Sequence, residues 1–110
     1  MKLYRPTGKN ELALIAESGF AAFPPRLPEQ PIFYPVLNVE YARYIASKWN
    51  KTDAGSMGYV LMFEIEDAYI SQYEVQTVGS HIHQEYWIPA EELANFNRHI
   101  IGKIEVIETY

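Results

Sequence analysis

Residues 59–66 read YVLMFEIE, eight positions of which only the two glutamates are charged. A stretch this short and apolar is predicted as a strand, and apolar enough to sit at the centre of a sheet rather than at its edge. The rest of the chain must therefore supply its neighbours.

The other strand candidates are short. KLYR at 2–5 is one, and Pro6 is expected to keep it from becoming a long central strand, because proline offers no N–H to a ladder. IFYPV at 32–36, YEVQTV at 73–78, EYWIP at 85–89 and KIEVIETY at 103–110 are the others. Three helices are predicted between them. In GKNELALIAESG, Leu12, Ile15 and Ala16 share a face, Thr7 or Asn10 is the expected cap and Gly19 the terminator. In VEYARYIASKW, Asn38 is the cap, and Val39, Ala42, Ile45, Ala46 and Trp49 recur at helical spacing. In AEELANFNRHI, Leu93, Phe96 and Ile100 form the apolar face, with Glu91 and Glu92 in the first turn and Arg98 and His99 in the last. Gly102 is expected to end it.

FAAFPPRLPEQP at 20–31 holds four of the seven prolines and is predicted to be an extended, stiff loop. DAYISQ at 67–72 suits a single helical turn, and NKTDAGSMG at 50–58, polar with two glycines, is expected as the mobile loop. The expectation is one small α+β domain over 1–110, with two short, mostly antiparallel sheets and about three helices.

Composition narrows the function. Nine Lys and Arg against fourteen Asp and Glu give a formal charge of -5, which disfavours non-specific nucleic-acid binding and attraction to anionic membranes. The chain has no cysteine, which removes disulfides, thiolate metal sites and cysteine nucleophiles together. Charges precede any apolar stretch of signal-peptide length, and no run is long enough to span a bilayer. A soluble, cytoplasmic protein is the expectation.

HIHQEYWIPAEEL at 81–93 carries the first candidate chemistry. On a strand, His81, His83 and Glu85 would point to one side, a donor set known from non-haem iron and catalytic zinc. However, positions i and i+4 of an extended strand are roughly 13 Å apart, too far for one ion unless the strand bends. No metal is expected at this stretch, though a site on His81, His83 and Glu85 stays as an alternative.

A second constellation spans most of the chain. LYRPTG, IFYP running into YARYIASKW, and QEYWIPAEEL stand in the order and setting of the three motifs of the ADP-ribosyltransferase superfamily, which the chain resembles. The family has a His or Arg on its first strand, an aromatic or hydroxyl residue on a strand leading into a helix, and a Glu opening a strand followed by a short helix and a final strand. Carried over residue by residue, these are Arg5, Tyr34 and Glu85. The chain is also similar to small bacterial proteins labelled ADP-ribosylation/crystallin J1, although nothing in it supports the larger all-helical glycohydrolase fold associated with that label.

The resemblance implies an ADP-ribosyltransferase-like fold acting on NAD. Glu85 would be the catalytic carboxylate, and Arg5 and Tyr34 would hold the dinucleotide, one by its fork of donors and the other by stacking on nicotinamide. His83 would lie on the acceptor side, and a protein is a candidate acceptor. Two departures accompany it: Pro6 stands where the family has glycine, and the Ser-Thr-Ser signature of the arginine-containing subclass is absent. A non-catalytic module binding a nucleotide or a protein in the same cleft is the alternative. Arg26, held in the proline loop, is a second cationic candidate.

Overall fold

The computed structural model describes residues 1–52 and 58–110, with the backbone alone for 49–52. The Trp49 side chain and most of the expected mobile loop, at 53–57, lie outside the described residues. In chain order, β1 spans Lys2–Gly8, α1 Lys9–Glu17, β2 Ile32–Phe33 and α2 Val39–Thr52. Next come β3 at Gly58–Ile65, α3 at Asp67–Ile70, β4 at Val75–Thr77, β5 at Gln84–Tyr86 and β6 at Ile88–Pro89. A 3-10 turn at Ala90–Glu92 leads into α4 at Leu93–Arg98, and β7 spans Ile100–Thr109.

The structure is α+β with antiparallel pairing throughout the described strands. The apolar run becomes β3, which lies between β1 and β7. Its alternate side chains are buried to both sides. Leu61, Phe63 and Ile65 enter the larger core with Leu3, Phe23, Phe33 and Phe96, while Val60 enters a second core beneath α2 with Val36, Tyr41, Ala42 and Ala46. Tilted and edge-on ring contacts, such as Phe23 to Phe33 at 4.8 Å and Phe23 to Phe63 at 5.0 Å, fill the larger core.

The described strands form three hydrogen-bonded groups, β1–β3–β7, β2–β6 and β4–β5, and isolated bridges of Val36 to Tyr4 and to Glu85 join the first to the last in one sheet. Among the described residues there are four α-helices, the three expected and α3, which is the single helical turn expected at DAYISQ. Several expectations are corrected. EYWIP is not one strand: the chain changes partner at Trp87, with β5 pairing to β4 and β6 to β2. The cap of α1 is Gly8, with no side-chain hydrogen bond, so neither Thr7 nor Asn10 serves. Asn38 does cap α2, its Oδ1 accepting the Tyr41 N–H at 2.7 Å.

Gly102 does not end α4. His99 does, and Gly102 lies within β7 at a φ of 74°. There the register with β3 shifts, Glu64 facing Ile101 while Met62 faces Glu105, so the left-handed backbone of glycine accommodates a bulge.

Pro6 does not shorten β1, which pairs with β3 from Lys2 to Gly8. The reason is directional. Tyr4 exchanges both backbone hydrogen bonds with Val36, at 2.9 and 2.8 Å, so its N–H points away from β3. Two residues on, the Pro6 nitrogen points the same way, and the β1–β3 ladder loses nothing.

Gly58, at the start of β3, backs directly onto α2: a Cβ there would collide with the Ala46 carbonyl group, whereas one on its cross-strand partner Gly8 would meet nothing within 4 Å. Gly58→Ala is expected to cost about 1–3 kcal/mol. Gly8→Ala should cost less than about 1 kcal/mol, the loss of a modest helix cap. Urea unfolding of the two variants checks the contrast.

Candidate functional site

The cleft begins where the Val36 bridges stop. Tyr4, Val36 and Glu85 face one another across three antiparallel segments, so their side chains share one face of the sheet, the face that α2 covers. The next row along is Pro6, Tyr34 and Trp87, each two residues from its bridged neighbour. All three line a cleft of about 470 Å³, together with Arg5, Arg26, Gln30, Val36, Ile45, Val78 and Glu85. A further exchange of hydrogen bonds between residues 6 and 34 would have closed this gap, but Pro6 has no N–H to give. The carbonyl oxygen of Tyr34 instead accepts from the Arg5 guanidinium at 3.4 Å.

Glu85 is 8% exposed. Its Oε2 accepts from the Tyr41 hydroxyl at 3.2 Å and its Oε1 from the Trp87 indole N–H at 2.9 Å. Both donors are neutral, so they orient the carboxylate without cancelling its charge. The Tyr41 hydroxyl is pushed up to about 12 by burial, then by the Glu85 charge and hydrogen bond, and so stays a donor through the physiological range.

The cationic end is built from Arg5, Arg26 and Glu11. Arg5 shares its face of β1 with Leu3 and Thr7 and is 9% exposed. Its Nε and one terminal nitrogen donate to the two oxygens of Glu11, both at 2.9 Å, a two-pronged pair. Arg26 reaches the same carboxylate at 3.6 Å. Both guanidiniums sit over the Phe33 ring, at 4.8 and 5.8 Å from its centroid. Burial alone would raise the Glu11 carboxyl, but hydrogen bonds from Arg5 and Thr7 and the charges of Arg5 and Arg26 outweigh it, holding Glu11 below the usual carboxylate range.

Arg5, Tyr34 and Glu85 therefore line one cleft. His83 is not among the described residues that line it. Its ring stacks on Tyr41 at 4.4 Å and on Tyr44 at 5.4 Å, behind the tyrosine that donates to Glu85. His81 sits exposed in the turn before β5, so the premise of three donors on one strand face fails. Among the described residues no group of three or more His, Asp or Glu is placed to hold a metal ion.

The sequence reading did not single out Glu11, Trp87 or Tyr41 as parts of the site. Trp87 carried a usable signal, since on an extended segment it falls on the same side as Glu85. Glu11 had none beyond its place in the first turn of a helix.

No protein-family model matches this chain, and neither does any curated protein or solved structure.

Glu11 compensates two buried arginines, so Glu11→Gln is expected to lower stability at pH 7 by roughly 1.5–3 kcal/mol. Because its carboxyl is held low in the folded state, this contribution is present above the ordinary carboxylate range and is lost as the pH falls through the lowered value. The gap between wild type and variant in urea midpoint should thus narrow from pH 7 to pH 3.

Proposed function

We propose that the chain is an ADP-ribosyltransferase-like protein that cleaves NAD in this cleft, passing ADP-ribose to an acceptor or to water. The observation that carries the proposal is the meeting of Arg5, Tyr34 and Glu85, far apart in sequence, in one cleft. Their settings also agree with the motif order: Arg5 on β1, Tyr34 just before α2, and Glu85 on β5, ahead of a short helix and a last strand.

The chemistry follows from charge. When the bond between the ribose and the nicotinamide nitrogen breaks, its electron pair leaves with nicotinamide and positive charge develops on the ribose. A fixed, negatively charged Glu85, oriented by Tyr41 and Trp87, stabilises that charge and holds a ribose hydroxyl. A nucleophile from the acceptor, or water, then attacks the ribose carbon and gives up its proton. Tyr34 and Trp87, 40% and 44% exposed, supply ring faces for the nicotinamide. Arg5 supplies donors at the opposite end.

One observation favours a second reading, a nucleotide- or protein-binding module without turnover. Pro6 lines the cleft and brings no backbone donor where the family's glycine brings one, so the nicotinamide ribose loses a hydrogen bond that would place it.

The test is release of nicotinamide from NAD, followed by chromatography. Wild type is expected to release it, and Glu85→Ala to do so at least about a hundredfold more slowly. Tyr34→Ala is expected to raise KM about two- to tenfold, the worth of one stacked ring. NAD binding without any release would select the module instead.

A further inference from the structure

Arg26 is the least satisfied polar side chain in the cleft. Its backbone is held by the proline loop on both sides of Arg26. Upstream, Phe23 exchanges two hydrogen bonds with the Asn97 side chain, each 2.9 Å, and downstream Gln30 closes a turn on Leu27 at 2.8 Å. The side chain is only 9% exposed, yet its Nε is buried with no hydrogen-bond partner among the described residues. Such an orphan costs free energy unless something outside the chain satisfies it.

The charge balance points the same way. Two guanidiniums share one carboxylate, and Glu11 is already engaged by both prongs of Arg5, leaving Arg26 a single contact at 3.6 Å. One positive charge in this buried group is therefore uncompensated. The group opens on a cleft whose lining includes Arg5, Arg26 and Gln30 at one end and two exposed aromatic rings beside it.

We infer that Arg26 is the anion-holding residue of the cleft, seating a phosphate or diphosphate group of a ligand whose ring lies against Tyr34 and Trp87. A guanidinium fork matches phosphate oxygens in geometry as well as charge. This deepens the NAD proposal, on which it rests for the identity of the ligand, but it does not depend on catalysis at Glu85. Arg26 remains protonated as it waits for the anion, although burial and the Arg5 charge both lower its pKa.

The full-length chain tests it with inorganic pyrophosphate, ADP and adenosine as probes. Pyrophosphate should raise the melting temperature and shift the ¹H–¹⁵N signal of the Arg26 side-chain Nε–H. Arg26→Gln should weaken ADP binding roughly tenfold to a hundredfold while leaving adenosine unchanged. Arg26→Lys, which keeps the charge and loses the fork, should fall between. An Arg26 signal unmoved by millimolar pyrophosphate overturns the inference, and so does a folded Arg26→Gln that binds ADP as wild type does. Should Arg26→Gln fail to fold, the wild-type signal decides alone. Pyrophosphate binding through Arg26 without nicotinamide release would sustain the anion seat and remove the NAD chemistry. Nicotinamide release with a KM indifferent to Arg26→Gln would do the reverse.

Discussion

One residue joins the two parts of the sheet. Val36 bridges Tyr4 of β1 on one side and Glu85 of β5 on the other, and the adjoining hydrogen bonds, from Tyr86 N–H to the Pro35 carbonyl and from Leu37 N–H to the Gln84 carbonyl, are both 3.0 Å. Remove that seam and, among the described residues, the β4–β5 pair has no strand pairing with β1, β3 or β7. The position of Glu85 relative to Arg5 is therefore set by one buried valine and the four backbone hydrogen bonds around it. Prolines limit the seam at its Tyr34 end. Pro35 has no N–H to give, so only its carbonyl serves β5, and Pro6 cannot extend the pairing with Tyr34. The gap left there is the cleft.

The cleft is polarised along its length. At one end Glu85 is met by neutral donors alone among the contacts shown, an indole and a phenol. At the other, Arg5 and Arg26 outnumber Glu11. A ligand that is anionic in one part and develops positive charge in another would find each charge met by its opposite. Buried dipoles and charges of this kind act more strongly than they would in water, because the walls of the cleft exclude part of the solvent.

Much of this was legible in the sequence, for identifiable reasons. The eight-residue apolar run could only be a central strand, and the spacing of Val39, Ala42 and Ala46 could only be a buried helix face, so β3 and α2 followed from period and composition. Asn38 was readable as a cap because its short side chain precedes that periodic segment. What escaped was direction and partnership. The sequence shows that Pro6 lacks an N–H, but not that the missing donor faces away from β3. It shows two glycines near chain turns, but not that Gly102 relaxes a bulge instead of ending a helix. Long-range pairs such as Arg5 with Arg26 across a shared Glu11 leave no periodic trace. The alternation of His81, His83 and Glu85 was ambiguous for a related reason: it implies a shared face only where the segment is extended, and Gly79 and Ser80 turn the chain just before His81.

Several departures from ordinary local rules meet at the cleft. Core aromatics such as Phe33, Phe63 and Phe96 are at most 2% exposed, whereas Tyr34 and Trp87, beside the same strands, keep 40% and 44% of their surface open. The one described buried side-chain nitrogen without a partner belongs to Arg26, the pairing of Tyr4 with Val36 is not continued at Pro6, and a carboxylate is buried at Glu85 with neutral donors alone shown to reach it. A chain selected for stability alone would gain by filling this cleft with apolar side chains and pairing its charges. That these unfavourable features share one cavity is the physical basis for the proposal that the cleft binds a ligand.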